Sequence, residues 1–204
     1  MLIKTLVVGP IETNCYVVTD EDTLDCAVID PGDESNTILD YLEDNRLHCR
    51  AVMLTHAHFD HVGAAQAVLE ATGAKFYMSE KELDTIKNGG SGRFQPPEGV
   101  IYYKEGDVVE VGSLSFRVMV TPGHTPGGVT LVCGGALFTG DTLFRGSCGR
   151  TDFPGGDMRV ELASLKRIAA LEGDYEVYPG HAESSSLSVE RAHNPYMRHA
   201  IEKM

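Results

Sequence analysis

Arg50-Ala51-Val52-Met53-Leu54-Thr55-His56-Ala57-His58-Phe59-Asp60-His61 holds the two signals from which the rest of the chain can be read. The run Ala51–Leu54 is continuously apolar, the pattern of a strand covered on both faces. His56, His58 and His61, three of the chain's eight histidines, follow within six positions, with Asp60 between the last two. A lone histidine in a loop most often caps a backbone group. Three spaced this closely, with a carboxylate among them, converge on one point as metal ligands do. Gly63 to Ala71 then reads as a helix closed by Gly73. The histidine-rich piece is therefore expected in a strand-to-helix loop at a strand's C-terminal end, a common place for sites in α/β folds.

Three other segments repeat the arrangement. His124 lies in Thr121-Pro122-Gly123-His124-Thr125-Pro126-Gly127, directly after a strand expected over 114–120. Asp141 lies in Gly140-Asp141-Thr142, after a strand expected over 136–138. His181 ends Tyr178-Pro179-Gly180-His181, after the last strand at Val177-Tyr178. In each, glycine or proline fixes the backbone and one ligand-capable side chain is presented at a strand end. Four such placements point to one shared site.

Outward from these, Met1–Val8, Cys15–Thr19, Asp25–Ile29, Val108–Val111 and Val129–Val132 read as strands, the third stopped by Asp30-Pro31-Gly32. Apolar spacing predicts a short helix over 36–45 and a longer one over 157–171, with Asp157 as its N-cap. Residues from Ser188 onward read as helical with a break at Asn194-Pro195, and residues 88–99 as a surface connection. The 204 residues, 42% hydrophobic and 23% charged, fit a single domain over 1–204. A net charge of -13 argues against a nucleic-acid binder that neutralises phosphates, although a local metal cluster would still admit an anionic small substrate. No apolar stretch reads as a membrane anchor or signal peptide, and five cysteines without a C-x-x-C pair argue against a disulfide framework. The expected setting is cytoplasmic.

The pattern His56-x-His58-x-Asp60-His61, followed by single His124, Asp141 and His181, resembles the metallo-β-lactamase superfamily. Asp30, after a strand and before Pro-Gly, matches that superfamily's first motif, so the resemblance spans about residues 30 to 181. It implies an α/β fold, the four-layer αββα sandwich, with the metals at one edge between two sheets. It also implies two divalent metal ions, zinc foremost, with iron or manganese also suited to such ligands. His56, His58 and His124 would hold one metal and Asp60, His61 and His181 the other. Asp141 would bridge them, and Asp30 would support the ligands from behind. The implied chemistry is hydrolysis by attack of a metal-bound hydroxide, with Asp60 and Asp141 as the catalytic carboxylates.

Gly140 to Asp152, which contains Cys148-Gly149-Arg150-Thr151-Asp152, is similar to the short, single-domain glyoxalase II-like branch of that superfamily. The likeness implies a hydrolase of acyl thioesters, above all S-acylglutathione of the S-lactoylglutathione type. Arg150 matches a basic residue that helps hold glutathione in the longer enzymes; an internal ion pair with Asp152 is the equal alternative. The longer enzymes also carry a C-terminal helical domain and an aromatic stretch where Thr151-Asp152 stands here. Antibiotic-hydrolysing members usually lack the bridging carboxylate, so a β-lactamase is not expected. The Gly149–Asp152 run also occurs in persulfide dioxygenases, which would hold one iron through His56, His124 and Asp141 and act on glutathione persulfide. The expected partner is a small-molecule thioester, with no nucleic acid and no membrane; nothing in the sequence specifies an oligomeric state.

Overall fold

The computed structural model describes residues 1–203. Its first half runs β1 (Leu2–Val8), β2 (Thr13–Thr19), β3 (Asp25–Ile29), α1 (Ser35–Asp44), β4 (His48–Met53), α2 (Phe59–Val62), α3 (Ala65–Thr72), β5 (Lys75–Ser79), α4 (Glu82–Lys87) and β6 (Ile101–Tyr103). The second half runs β7 (Val108–Val111), β8 (Leu114–Val120), β9 (Val129–Cys133), β10 (Ala136–Gly140), β11 (Leu143–Phe144), β12 (Ser147–Cys148), α5 (Met158–Ala169), β13 (Glu176–Pro179), β14 (Ser185–Ser186), α6 (Leu187–His193) and α7 (Pro195–Lys203).

The strands form two six-stranded sheets, ordered β1-β2-β3-β4-β5-β6 and β14-β13-β10-β9-β8-β7, with β11 and β12 as a separate hairpin. In the first sheet β1 to β3 pair antiparallel, and β3 to β6 pair parallel. The second is antiparallel except where β13 lies parallel to β10 after the α5 crossover.

Strand alternation sorts the side chains into three cores. On β2, Cys15 and Val17 face the helices while Tyr16 and Val18 face the other sheet; on β3, Cys26 and Val28 separate from Ala27 and Ile29 in the same way. Phe116, Val118, Leu131 and Phe138 complete the layer between the sheets. Ile38 and Val68 cover the first sheet's outer face, and Leu165, Ile168 and Met197 cover the second's. The result is the four-layer αββα sandwich expected from the resemblance. Every residue of β2, β9 and β10 is buried because both sheet faces are covered, and the few polar residues among them are small, mostly threonine.

The structure departs from the expected elements at two places that matter for the site. The stretch 56–61 is not wholly loop: Phe59–Val62 forms a single helical turn that orients Asp60 and His61. Residues 88–99 are also more than a surface connection, since Asn88 to Gly90 wall a cleft and Phe94 is buried. Asp157 caps α5 as expected, accepting from the amides of Arg159 and Val160 at 2.8 and 3.0 Å. No helix among the described residues is long and apolar enough to cross a membrane.

Asp20, at the end of β2, is a polar tie between the sheets. Its Oδ2 accepts from the amide of Ser113 in the β7–β8 turn at 2.7 Å and from the Thr23 hydroxyl at 3.0 Å. Those bonds, the Ser113 amide foremost, hold the carboxyl down at about 2. A folded-state value below the ordinary 3.8 stabilises the fold above that ordinary value, and the contribution is lost as pH falls towards about 2. Melting temperatures taken from pH 7 to pH 2 should therefore show D20A least stable relative to wild type near neutrality, with the gap closing across the acid limb. A constant gap would mean that the carboxylate is not the stabilising group.

Candidate metal centre

All the strand-end loops singled out in the sequence meet at one edge of the sandwich. Asp30 follows β3, His56 and His58 follow β4, His124 follows β8, Asp141 follows β10 and His181 follows β13. Asp30 adopts a left-handed backbone with φ of 51°, which aspartate tolerates better than most residues. That turn sends its carboxylate across to the β4 loop. Its Oδ1 accepts from the Thr55 amide at 2.7 Å, and its Oδ2 accepts from the Thr55 hydroxyl at 2.6 Å and meets His61 Nδ1 at 3.0 Å. Both oxygens are thereby used. Although Asp30, His56 and His61 also cluster, Asp30 stands as a support that turns His61 Nε2 inward.

The inward atoms form two trios. The ligand atoms of His56, His58 and His124 lie within 4.8 Å of one another, as do those of Asp60, His61 and His181. His58 Nδ1 and His124 Nε2 are 2.9 Å apart, and Asp60 Oδ2 lies 3.1 Å from His181 Nε2 and 3.3 Å from His61 Nε2. Asp141 sits between the trios: Oδ1 is 3.4 Å from His61 Nε2, while Oδ2 is 3.5 Å from His124 Nε2 and 3.7 Å from His181 Nε2. The crowding demands glycine around it. A Cβ on Gly180 would lie 2.2 Å from Asp141 Oδ1, and one on Gly149 would lie 1.9 Å from the Asp141 carbonyl oxygen.

Three atoms at this convergence, His56 Nε2, His61 Nε2 and Asp141 Oδ1, are buried without a hydrogen-bond partner. Buried polar atoms in folded proteins are normally paired, and orphaned atoms in both trios and on the carboxylate between them fit bound cations. The charge states agree. Burial and the neighbouring imidazoles push His56 well down, and burial first of all sets His58 at about 4, so both rings are neutral at pH 7. Burial works against ionising Asp60, but hydrogen bonds from His181 and His61 outweigh it and hold the carboxyl well below its usual range. Burial likewise opposes the ionised form of Asp141, and His61 foremost outweighs it. Burial opposes protonation of His61, yet Asp141 and Asp30 raise it well above the usual value, a sign of the negative field a cation would meet there.

Two buried carboxylates that sequence reasoning missed hold the loops in place. Glu82, fully buried at the start of α4, accepts from the Ala57 amide at 2.7 Å, the Thr125 hydroxyl at 2.6 Å and the Gly127 amide at 2.8 Å. Nothing in Glu80-Lys81-Glu82 distinguishes it from a surface charge. Glu161, fully buried on α5, accepts from the His124 amide at 2.9 Å, and burial lifts its carboxyl to about 9. Here a signal was present, since Glu161 falls on the same helical stripe as Leu165 and Ile168.

The centre opens into a cleft of about 750 Å³. His58, Asp60, His124, Asp141 and His181 form its floor, and Ile11, Phe59, Phe144 and Phe153 its apolar walls. Phe59 is 54% exposed and Phe153 44%, large apolar surface left at the mouth of a polar site. Arg150 lines the cleft but is engaged: its Nε and Nη2 donate to the two oxygens of Asp152, each at 2.7 Å, and its guanidinium lies 4.0 Å over the Phe153 ring. Arg145 pairs with Glu183. Cys148 also reaches the cleft, where burial pushes its thiol up to about 12, so it stays protonated. His48, His193 and His199 are exposed.

A six-strand-plus-six-strand sandwich with these loops at its edge defines a class, and the chain belongs to the metallo-β-lactamase superfamily, whose family model matches residues 8–181. Among curated relatives, a protein of Aquifex aeolicus (strain VF5) is 40% identical over 209 residues, covering 96% of this chain and 97% of its own. The hydroxyacylglutathione hydrolase GloC of Haemophilus influenzae is 30% identical, covering 97% and 98%. Of solved structures, the BLEG-1 B3 metallo-β-lactamase matches with a TM-score of 0.87 at 34% identity, covering 96% of this chain and 99% of that one. TTHA1623 in a di-iron-bound form matches with a TM-score of 0.84 at 36% identity, covering 95% and 99%. ETHE1 from Myxococcus xanthus matches with 0.83 at 29% identity, covering 99% and 91%.

Proposed function

We propose that the protein is a two-metal hydrolase of acyl thioesters, with S-acylglutathione of the S-lactoylglutathione type as its substrate class. The observation that carries this reading is the pair of three-residue clusters with Asp141 between them, opening into a cleft with apolar walls. His56, His58 and His124 would hold one divalent cation, Asp60, His61 and His181 the other, and Asp141 both. Cations so held lower the pKa of water towards neutrality and polarise an acyl carbonyl; zinc is the first choice for such a donor set.

The chain's own residues do the rest. Asp60 Oδ2 is taken up by the Thr13 hydroxyl at 3.1 Å, His61 and His181, which fixes the carboxylate within its trio. Asp30 fixes the His61 ring and the Arg150 carbonyl, 2.6 Å from His124 Nδ1, fixes that of His124, so neither ring needs to reorient during turnover. Phe59 and Phe153 shield the acyl group from bulk water. The leaving thiolate, with an ordinary thiol pKa of about 8.5, departs without a strong general acid. Cys148, which reaches the cleft, is a poor acid at neutral pH.

Likeness to GloC along nearly the whole chain supports the thioester over other acyl substrates. A second reading, an iron-dependent dioxygenase acting on glutathione persulfide through His56, His124 and Asp141, is supported by the likeness to ETHE1. Thiol release from S-lactoylglutathione, measured beside oxygen uptake on glutathione persulfide, separates them. Thiol release without oxygen uptake is expected; oxygen uptake without thiol release would replace the hydrolase by the dioxygenase. Nitrocefin serves as the control for the likeness to BLEG-1, and negligible turnover of it is expected.

A further inference from the structure

A second cavity of about 500 Å³ adjoins the metal cleft. Phe59 lines both, and a single segment passes from one to the other: Asn88 to Gly90 wall the cleft, and Ser91 to Gln95 wall the neighbouring groove. The Phe59 amide pins that segment by donating to the Gly90 carbonyl at 2.9 Å. The groove is thus the continuation of the cleft past the Phe59 ring.

Its chemistry differs from that of the cleft. Among the described residues on its walls, Arg93 is the one charged side chain. No ion pair or hydrogen bond joins its guanidinium to another described residue, whereas Arg150 and Arg145 beside the metal centre are neutralised by Asp152 and Glu183. The Ser91 hydroxyl, buried in the same wall, also lacks a partner, and Gln95 adds an amide. In a chain of net charge -13, a guanidinium with no carboxylate among the described residues of the groove's walls marks a place for an anion.

We propose that this groove binds the carboxylate-bearing end of the substrate's thiol half, with Arg93 as the charged contact, while the acyl group lies over the metal centre. The proposal rests on the thioester reading and moves the glutathione contact away from Arg150. A guanidinium grips a carboxylate through two parallel N–H···O bonds; Arg93 has its donors open, and Arg150 already makes that bidentate contact with Asp152.

Titration calorimetry with S-hexylglutathione, a thioether that cannot be hydrolysed, tests the contact without turnover. S-hexyl-N-acetylcysteamine, which has no carboxylate, is the neutral counterpart. Arg93→Gln should weaken S-hexylglutathione by roughly tenfold, more than Arg150→Gln does, and leave the neutral thioether unchanged. With S-lactoylglutathione the same variant should raise KM by a similar factor and keep kcat. Wild-type affinity for S-hexylglutathione in Arg93→Gln, or a larger loss in Arg150→Gln, would overturn the assignment. The two readings fail separately. Hydrolysis of S-lactoylglutathione with binding insensitive to Arg93 keeps the thioesterase and removes the groove. Binding that depends on Arg93, with no thioester hydrolysed, keeps the groove as a carboxylate site and removes the thioesterase.

Discussion

Asp141→Ala should abolish thioester hydrolysis and lower bound metal while leaving the sandwich folded. Its carboxylate is the one group placed between both trios, within 3.4 to 3.7 Å of nitrogens from His61, His124 and His181. Removing a residue that merely supports a ligand typically costs roughly 10–100-fold in metal affinity or activity, and loss of a group shared by both trios should exceed that range. The fold should survive because Asp141 lies on a strand-end loop, outside the three apolar cores. Turnover, metal content by elemental analysis and far-UV circular dichroism check the three parts. Near-normal turnover with Asp141 gone would mean that the chemistry lies elsewhere.

Glu82→Ala should destabilise the protein more than either D20A or Asp141→Ala does. It would strand three buried donors at once, the amides of Ala57 and Gly127 and the hydroxyl of Thr125. Each unsatisfied buried group costs about 1–3 kcal/mol, so a loss of about 3 kcal/mol or more is expected. For a chain of this size that corresponds to a fall in Tm of roughly 6–12 °C. Ala57 lies between His56 and His58, and Thr125 follows His124, so the damage is local to one trio. Metal bound after dialysis should fall towards one equivalent, with the trio of Asp60, His61 and His181 still loaded. Two equivalents retained at an unchanged Tm would show that Glu82 does not hold the loops.

The candidate site was more legible in the sequence than the short elements around it. A ligand must be a histidine or carboxylate, and glycine or proline must fix the loop that carries it, so the loops of His56, His124, Asp141 and His181 announce themselves. The central strands were legible too, because β2, β9 and β10 are buried on both faces and so are rich in apolar and β-branched residues. β5, α4 and β6 were not anticipated. They are short, and their pattern depends on what covers them: Tyr77 stacks on Tyr103 only once the two strands lie side by side. Glu82 was invisible for the same reason, its role existing only where α4 meets two separate loops in the fold. Arg150 illustrates the reverse limit. Its position in the motif left substrate contact and an ion pair with Asp152 equally open, and only the structure shows the ion pair in place.

The most direct test of the two-metal hydrolase is to strip the protein with chelator and restore zinc, manganese or iron in graded amounts while following thiol release from S-lactoylglutathione. Activity should be absent in the stripped protein and should rise to a plateau at two equivalents of metal per chain. Full activity at one equivalent, or no thiol release with two equivalents bound, would contradict it.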